Sequence, residues 1–469
     1  MALLYGVEFN NQTRALSFSD RAGNNIYSCT IPASHPLTFV STEDGSTIWL
    51  FGNTVVTVDS IARYEVDTGN GWTAYSISDQ PHLTLNRGES CRWRCSNRAG
   101  VQTLRANANF GMTGSFEAYG NIHSMLIPNF ENVTSLADYP YAFCNLFKNC
   151  TSLKKAPALP ATTLSEGCYR SLFEGAGIVY PPKLPATALA SHCYYNMFYR
   201  CTALIQAPEL PATTLADSCY YSMFSSCTSL VNAPVLPATT LAQYCYNNMF
   251  SSCTSLVNAP VLPATTLAQY CYNNMFSSCT SLVNAPSLPA TTLAQYCYNS
   301  MFNGCTSLVN APALPATTLA QYCYNSMFNG CTSLVNAPAL PATTLAYSCY
   351  YSMFSVCSSL TQAPELPATT LADRCYYSMF YGCSLLTEVY IAATTMAYNA
   401  LTQWLSGVAA HGTVYADPSL TLPTDSISGV PVGWVRAQLP GTRSIETEPE
   451  PVLRSTKKTK PRFDPYLIP

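Results

Sequence analysis

The sequence predicts a mixed α/β repeat protein. An N-terminal β-sandwich leads into a solenoid of about ten 26-residue coils, followed by a C-terminal cap and an extended tail. Three observations predict it. Cysteines recur every 26 residues in two registers, Cys201, Cys227, Cys253, Cys279, Cys305, Cys331, Cys357 and Cys383 in one, and Cys193, Cys219, Cys245, Cys271, Cys297, Cys323, Cys349 and Cys375 in the other. Residues 227–252 read CTSLVNAPVLPATTLAQYCYNNMFSS, and residues 253–278 repeat them without a change. Residues 1–115 show no such repeat and alternate apolar with polar residues between Gly, Asn and Asp turns, the pattern of short sandwich strands.

Boundaries follow from these patterns: a β-rich unit over 1–120, the repeat over 121–383, a cap over 384–439 and a charged, Pro-rich tail over 440–469. In the first unit, the segments 36–40, 47–50, 72–75, 82–85 and 91–94 read as strands. Residues 124–149 read as a degenerate first coil, with Phe147 in register but Ala142 where a cysteine is expected.

Each coil carries apolar residues at fixed offsets. In the unit from Cys227 they are Leu230, Ala233, Leu236, Leu241, Cys245, Met249 and Phe250. One such coil cannot bury its apolar face alone, whereas stacked coils share a continuous core. Residues 230–236 read as a strand, kept short by Pro234 and Pro237. Residues 241–250 have apolar side chains at 241, 242, 245, 246, 249 and 250, a spacing that reads as a short helix or 3-10 segment. A strand and a helical piece per coil is leucine-rich-repeat architecture. With neighbouring strands about 4.8 Å apart, ten coils would span roughly 50 Å.

The string Met249-Phe250-Ser251-Ser252-Cys253-Thr254-Ser255-Leu256 resembles the AFxxCxxL core of BspA-like, treponemal-type leucine-rich repeats, and the resemblance covers roughly residues 124–412. It implies the solenoid fold. For function it implies only surface recognition or adhesion, of the kind similar arrays serve in bacterial surface proteins and in phage virion proteins.

Three columns follow from stacking. Phe173, Phe198, Phe224, Phe250, Phe276, Phe302, Phe328, Phe354 and Phe380 are expected inside the core. The cysteines are expected as free core thiols, since buried Cys behaves as a small hydrophobe. Within a coil the two registers lie eight residues apart, about 12 Å if helical, beyond the roughly 7 Å that a disulfide spans. Tyr220, Tyr246, Tyr272, Tyr298, Tyr324 and Tyr350 form the third column and are the candidate binding surface. They read either as half-buried rings with wet hydroxyls or as an aromatic strip for a sugar or a protein. Gln243, Gln269, Gln295 and Gln321, at an offset that varies between coils, are expected outside beside them.

The charge map argues against catalysis. Between Asp217 and Glu365 there is no Asp, Glu, Lys, Arg or His. General acid–base chemistry needs titratable groups, and phosphate neutralisation needs Lys and Arg. Charged residues are 10% of the chain, against roughly 25% in ordinary soluble domains. No catalytic, metal or cofactor residues are assigned. Asp67-Thr68-Gly69 matches the short aspartic-protease signature without a second copy to supply the partner carboxylate. Cys91 and Cys95 lack the second pair that a zinc site needs. The five histidines are dispersed.

After Cys383 the repeat decays. Residues 392–405 read as a helix with Met396, Leu401, Trp404 and Leu405 on its apolar face, and residues 417–435 as the end of the cap. The tail reads either as a disordered segment or as an assembly arm carrying Lys457, Lys458, Lys460, Arg462, Phe463 and Tyr466.

The expected function is therefore non-enzymatic: a structural and recognition protein, a phage virion component (fibre, tail or capsid-decorating protein), with a bacterial cell-surface adhesin as the alternative. Expected partners are other virion or surface proteins and a host cell-surface glycan or protein, with a homo-oligomer left open. No nucleic acid partner is expected. No run of about 18 apolar residues occurs, so no membrane span is expected. Residues 1–9 have neither a basic region nor a long apolar run, so the expected location is the virion, made in the host cytoplasm, or else the cell surface.

Overall fold

The computed structural model describes residues 6–10, 15–19, 25–28, 34–52, 63–76, 79–95, 108–423 and 427–440. Seventeen strands occur among them. The first eleven are β1 (Gly6–Asn10), β2 (Ala15–Ser19), β3 (Asn25–Ser28), β4 (Leu37–Ser41), β5 (Ser46–Gly52), β6 (Arg63–Asp67), β7 (Trp72–Ser76), β8 (Leu83–Leu85), β9 (Ser90–Cys95), β10 (Ala108–Thr113) and β11 (Phe116–Tyr119). The remaining six are β12 (Leu153–Lys155), β13 (Thr370–Leu371), β14 (Glu388–Ile391), β15 (Thr395–Met396), β16 (Gly412–Ala416) and β17 (Trp434–Gln438).

The mixed α/β expectation does not hold. The described residues contain no α-helix, only a 3-10 turn over Ile122–Met125, and the strands form several small sheets. The leucine-rich-repeat solenoid assignment falls with the missing helix. The predicted coil strand over 230–236 also shrinks to a single bridging residue, Asn232. Pro234 and Pro237, both following it, remove the backbone donors that a longer ladder would need.

The segment read as helical is instead a run of four-residue turns. From Ala242 to Cys253, alternate backbone N–H groups take two different partners. Those of Cys245, Asn247, Met249, Ser251 and Cys253 bond three residues back, to Ala242, Tyr244, Tyr246, Asn248 and Phe250. Those of Tyr244, Tyr246, Asn248, Phe250 and Ser252 bond forward to Gln269, Cys271, Asn273, Met275 and Ser277 of the next coil, at 2.7–3.1 Å. Every fourth residue is left-handed: Tyr244 at φ 56°, Asn248 at 54° and Ser252 at 60°. The side-chain pattern explains the misreading. Apolar pairs at 241–242, 245–246 and 249–250 recur every four residues, and over eight residues that pattern would drift about 80° around an α-helix. A turn that repeats every four residues keeps all three pairs pointing inward.

Inside the stack the columns lie in register. Phe250, Phe276 and Phe302 stack at 5.7 Å between ring centroids, within 7° of parallel. All described cysteines are buried and free. The thiol of Cys253 donates to the Phe224 carbonyl at 3.0 Å, and that of Cys279 to the Phe250 carbonyl at 3.1 Å. The ladder cysteine thus fills a core position and satisfies one more backbone acceptor.

The N-terminal unit starts the stack. One sheet runs β12-β11-β4-β9-β6-β7, and a second runs β10-β5-β8. Phe39 of β4 and Trp93 of β9 meet Phe110 of β10 edge-on, at 5.0 and 5.1 Å, which gives the two sheets a common core. β10 then behaves as a preceding coil. Phe110 donates its N–H to the Leu146 carbonyl at 2.8 Å, accepts the Cys150 thiol at 2.9 Å and stacks on Phe147 at 5.4 Å. β11 pairs in parallel with β12, across a register shift between Phe116 and Glu117, so the sheet leads into the repeat. His123 heads the inner tyrosine column. It is fully buried, its ring stacks on Phe143, and its nitrogens lie 3.0 Å from the Val133 carbonyl and 3.3 Å from the Tyr169 hydroxyl.

At the other end, β14, β16 and β17 form a parallel sheet. The helix expected over 392–405 is absent. In its place stand β15 and another run of turns, left-handed at Asn399 (φ 64°) and Gln403 (φ 56°). Trp404 occupies the phenylalanine column, its carbonyl accepting from Phe380 at 2.9 Å and its indole N–H donating to Gly429 at 3.0 Å. No helix among the described residues is long and apolar enough to cross a membrane.

The hydroxyls of Tyr246 and Tyr324 are buried with no hydrogen-bond partner. An unsatisfied buried hydroxyl is destabilising by about 1–3 kcal/mol. Tyr246→Phe is therefore expected to raise the urea midpoint, by the equivalent of about 1 kcal/mol. A lowered midpoint would show that the hydroxyl is bonded.

Candidate recognition face

The structure separates the two kinds of residue predicted for the binding surface. Tyr220, Tyr246, Tyr272, Tyr298, Tyr324 and Tyr350 are each only 1% exposed. They form a stacked inner column, with centroids 5.7–5.8 Å apart between Tyr220 and Tyr350, and present no surface. The cause is the turn geometry, which directs both members of each Cys-Tyr pair inward. The glutamines, half-buried at Gln243, Gln269 and Gln295 and exposed at Gln321, form a carboxamide ladder. Gln243 Nε2 donates to Gln269 Oε1 at 2.7 Å, Gln269 to Gln295 at 3.0 Å, and Gln295 to Gln321 at 3.4 Å.

A different tyrosine column stands beside that ladder. Tyr244, Tyr270, Tyr296 and Tyr322 stack face to face at 4.6, 4.5 and 4.4 Å, within 12° of parallel. All four are left-handed, φ 56–57°. This conformation suits Gly, Asn or Asp and is unfavourable for a bulky residue by about 1–2 kcal/mol. At the same place other coils carry Gly167, His192, Ser218, Ser348 and Arg374. Stacking offsets part of the strain, at roughly 0.5–1.5 kcal/mol per ring pair. The left-handed backbone belongs to the turn run, since His192, Ser218, Ser348 and Arg374 share it; what sets these four coils apart is a stacked tyrosine at that place.

The column has defined ends. After Tyr322 comes Tyr347, edge-on at 5.2 Å, followed by the Arg374 guanidinium 5.9 Å from its centroid. Burial, with the hydrogen bond to Tyr347 second, pushes the Tyr322 hydroxyl up to about 12. Before Tyr244 the column stops at Ser218, with Asp217 beside it. One Asp217 oxygen accepts the Gln243 N–H at 3.1 Å. Because neighbouring rings cover each other's faces, the middle of the strip offers phenol edges and amides rather than flat ring faces.

A second exposed face runs through Asn232, Asn258, Asn284, Asn310 and Asn336, which bridge in parallel from coil to coil. Val231, Val257, Val283, Val309 and Val335 accompany them, 37–40% exposed.

The lone motifs take structural places. Asp67 is buried, ion-paired with Arg92, and accepts from the N–H groups of Gly69 at 2.7 Å and Gly71 at 3.1 Å. Burial raises its pKa, but those N–H groups and Arg92 outweigh it and hold the carboxyl below the usual range. Its motif builds the turn between β6 and β7. Cys91 is buried and accepts from the Trp93 indole at 3.1 Å. Among the described residues no three His, Cys, Asp or Glu side chains gather as metal ligands. Lys457, Lys458, Lys460, Arg462, Phe463 and Tyr466 lie outside the described residues.

Burial also governs the thiols. It pushes Cys253, Cys297, Cys305 and Cys349 up to about 12. Thiolate is the reactive form, so iodoacetamide at about pH 8 is expected to leave the ladder cysteines unmodified in the folded chain and to alkylate them all in urea. Mass spectrometry of tryptic peptides reads both states. Alkylation of Cys253 without denaturant would contradict the packing.

No protein-family model, curated protein or solved structure matches the chain. The BspA-like resemblance therefore rests on the repeated motif itself.

Proposed function

We propose that this chain is a non-enzymatic recognition and structural protein that presents an uncharged, periodic surface to a partner. One observation carries the reading: Tyr244, Tyr270, Tyr296 and Tyr322, strained and stacked, lie beside a glutamine ladder on a stretch with no ionisable Asp, Glu, Lys, Arg or His. Tyrosine and neutral amides give large, adaptable contact area at low entropic loss, the composition of binding paratopes. The buried core columns hold that face in a fixed register. The setting that best suits such a face is a virion component, a fibre, tail or capsid-decorating protein, consistent with the kind of array the motif resembles.

Peptide mass spectrometry on gradient-purified particles from a lysed culture, beside the membrane fraction of uninfected cells, tests the setting. Stoichiometric recovery in particles supports a virion component. Recovery only with the membranes would replace that setting with a cell-surface adhesin. Replacing the four tyrosines together by serine, which the same position carries at 218 and 348, tests the surface. Attachment to host cells is expected to fall at least tenfold with the fold retained, and unchanged attachment would refute the surface.

A further inference from the structure

A second open face lies just before the threonine pair of each coil. In the coil from Cys227, Val235 and Thr239 are exposed and Pro237 is half-buried, while Leu236 and Ala238 between them are buried. That alternation is the pattern of an extended segment with one outward face. It recurs in every coil from the segment that starts at Lys183 to the one that starts at Glu365. Parallel bridges hold these segments in register, Ala188 to Thr214, Gln206 to Asn232, and onward through the asparagines to Asn336 and Gln362.

The first residue of the segment forms an ordered column. Its middle is uncharged and exposed: Val235, Val261, Ser287, Ala313 and Ala339, with the two valines 76% and 75% exposed. Glu209 precedes these five and Glu365 follows them, both exposed, and an exposed Lys183 stands one coil before Glu209. None of the three charged residues takes part in an ion pair among the described residues.

This order is self-complementary in one arrangement. When a second copy is laid end over end, column on column, with the two-fold axis between the coils of Val261 and Ser287, Lys183 of each copy faces Glu365 of the other. Val261 then faces Ser287 and Val235 faces Ala313, so each valine meets a small side chain, and Glu209 meets Ala339. A slip of one coil in one direction sets Glu209 against Glu365, and in the other leaves Lys183 against Ala339. Two copies side by side in parallel would bring Lys183 level with Lys183 and Glu365 level with Glu365. Charge patterns of this kind fix register and orientation more than raw affinity. A patch that meets its own copy across a two-fold axis is an isologous interface. A residue in neighbouring extended segments covers about 16 Å² of face. Five positions over eight coils therefore present about 600 Å² per copy and roughly 1,200 Å² in all, the lower end of specific interfaces.

We infer that this face joins two copies of the chain, antiparallel, with Lys183 set against Glu365 at both ends. The inference uses none of the outer tyrosines or glutamines and does not rest on the reading of their face.

Sedimentation equilibrium of the full chain over a dilution series tests it. The unmodified chain is expected as a dimer that dissociates to monomer on dilution. Lys183→Glu and Glu365→Lys are each expected to weaken the dimer by about tenfold or more, because each sets like charges against one another at both ends. The two substitutions together exchange the charges and are expected to restore it. Val261→Glu, at the centre of the face, is expected to leave only monomer. All of these positions are exposed, so the fold is expected to be retained, which circular dichroism checks. A chain that stays monomeric at every concentration overturns the inference. So does a dimer that the single reversals leave unchanged, or one that the double reversal fails to restore.

Discussion

Phe276→Ala is expected to lower the unfolding free energy by about 3–5 kcal/mol. The ring is fully buried and stacks on Phe250 and Phe302 at 5.7 Å on both sides. Backbone bonds hold the coils in register above and below it, among them Phe276 N–H to the Met301 carbonyl at 2.9 Å. The walls of the cavity therefore cannot close without breaking rungs of the ladder. Urea unfolding measures the change. A loss under about 1 kcal/mol would mean that neighbouring coils collapse into the space. The double variant with Phe302→Ala is expected to depart from additivity, since the two rings touch.

A second large effect is expected with acid. Burial pushes the His123 imidazole down to about 4 from an ordinary 6.5, although its bond to the Val133 carbonyl acts the other way. The folded chain thus holds this ring neutral while the unfolded chain binds a proton below about pH 6.5. The unfolded state takes up more protons between roughly pH 6.5 and 4, so stability falls as pH falls through that window, by about 3 kcal/mol in all from this one group. His123→Phe, which matches the Phe143 ring it stacks on, is expected to flatten the dependence between pH 6.5 and 4. An unchanged slope in the variant would assign the acid sensitivity to other groups. Hydrogen exchange near residues 122–147 is expected to show that the junction loosens first, before the uncharged middle of the stack.

The columns of the core were legible because the repeat compares each position with itself. Tyr246 belongs to a series that is tyrosine in every coil from Tyr169 to Tyr376, the behaviour of a position closed to polar side chains. The column of Tyr244 also contains His192, Ser218, Ser348 and Arg374, the behaviour of a position open to water. That contrast held the information about which tyrosines face out, and reading the Cys-Tyr pair as a surface strip overlooked it. The missing helix was less accessible. Three apolar pairs spaced four apart satisfy a helical template over so short a segment, and only the left-handed backbone at Tyr244, Asn248 and Ser252 separates the two. Asn and Ser at two of those places are compatible with either. The glutamines likewise sit at an offset that varies between coils, from Asp217 through Gln243 to Tyr347 and Asp373.

The alternating hydrogen bonds of the turn run give the array an unusual relation to its gene. Each coil donates its forward rungs to a successor that presents the same acceptors, and residues 227–252 and 253–278 are identical. A coil added or lost at that point meets the same neighbour as before, so no bond within the stack registers the change. The length of the tyrosine and glutamine face then becomes a heritable dial. Unequal exchange between tandem copies in the DNA would move it in steps of about 4.8 Å, adding or removing one tyrosine and one glutamine each time. The two charged ends of the strip would stay fixed.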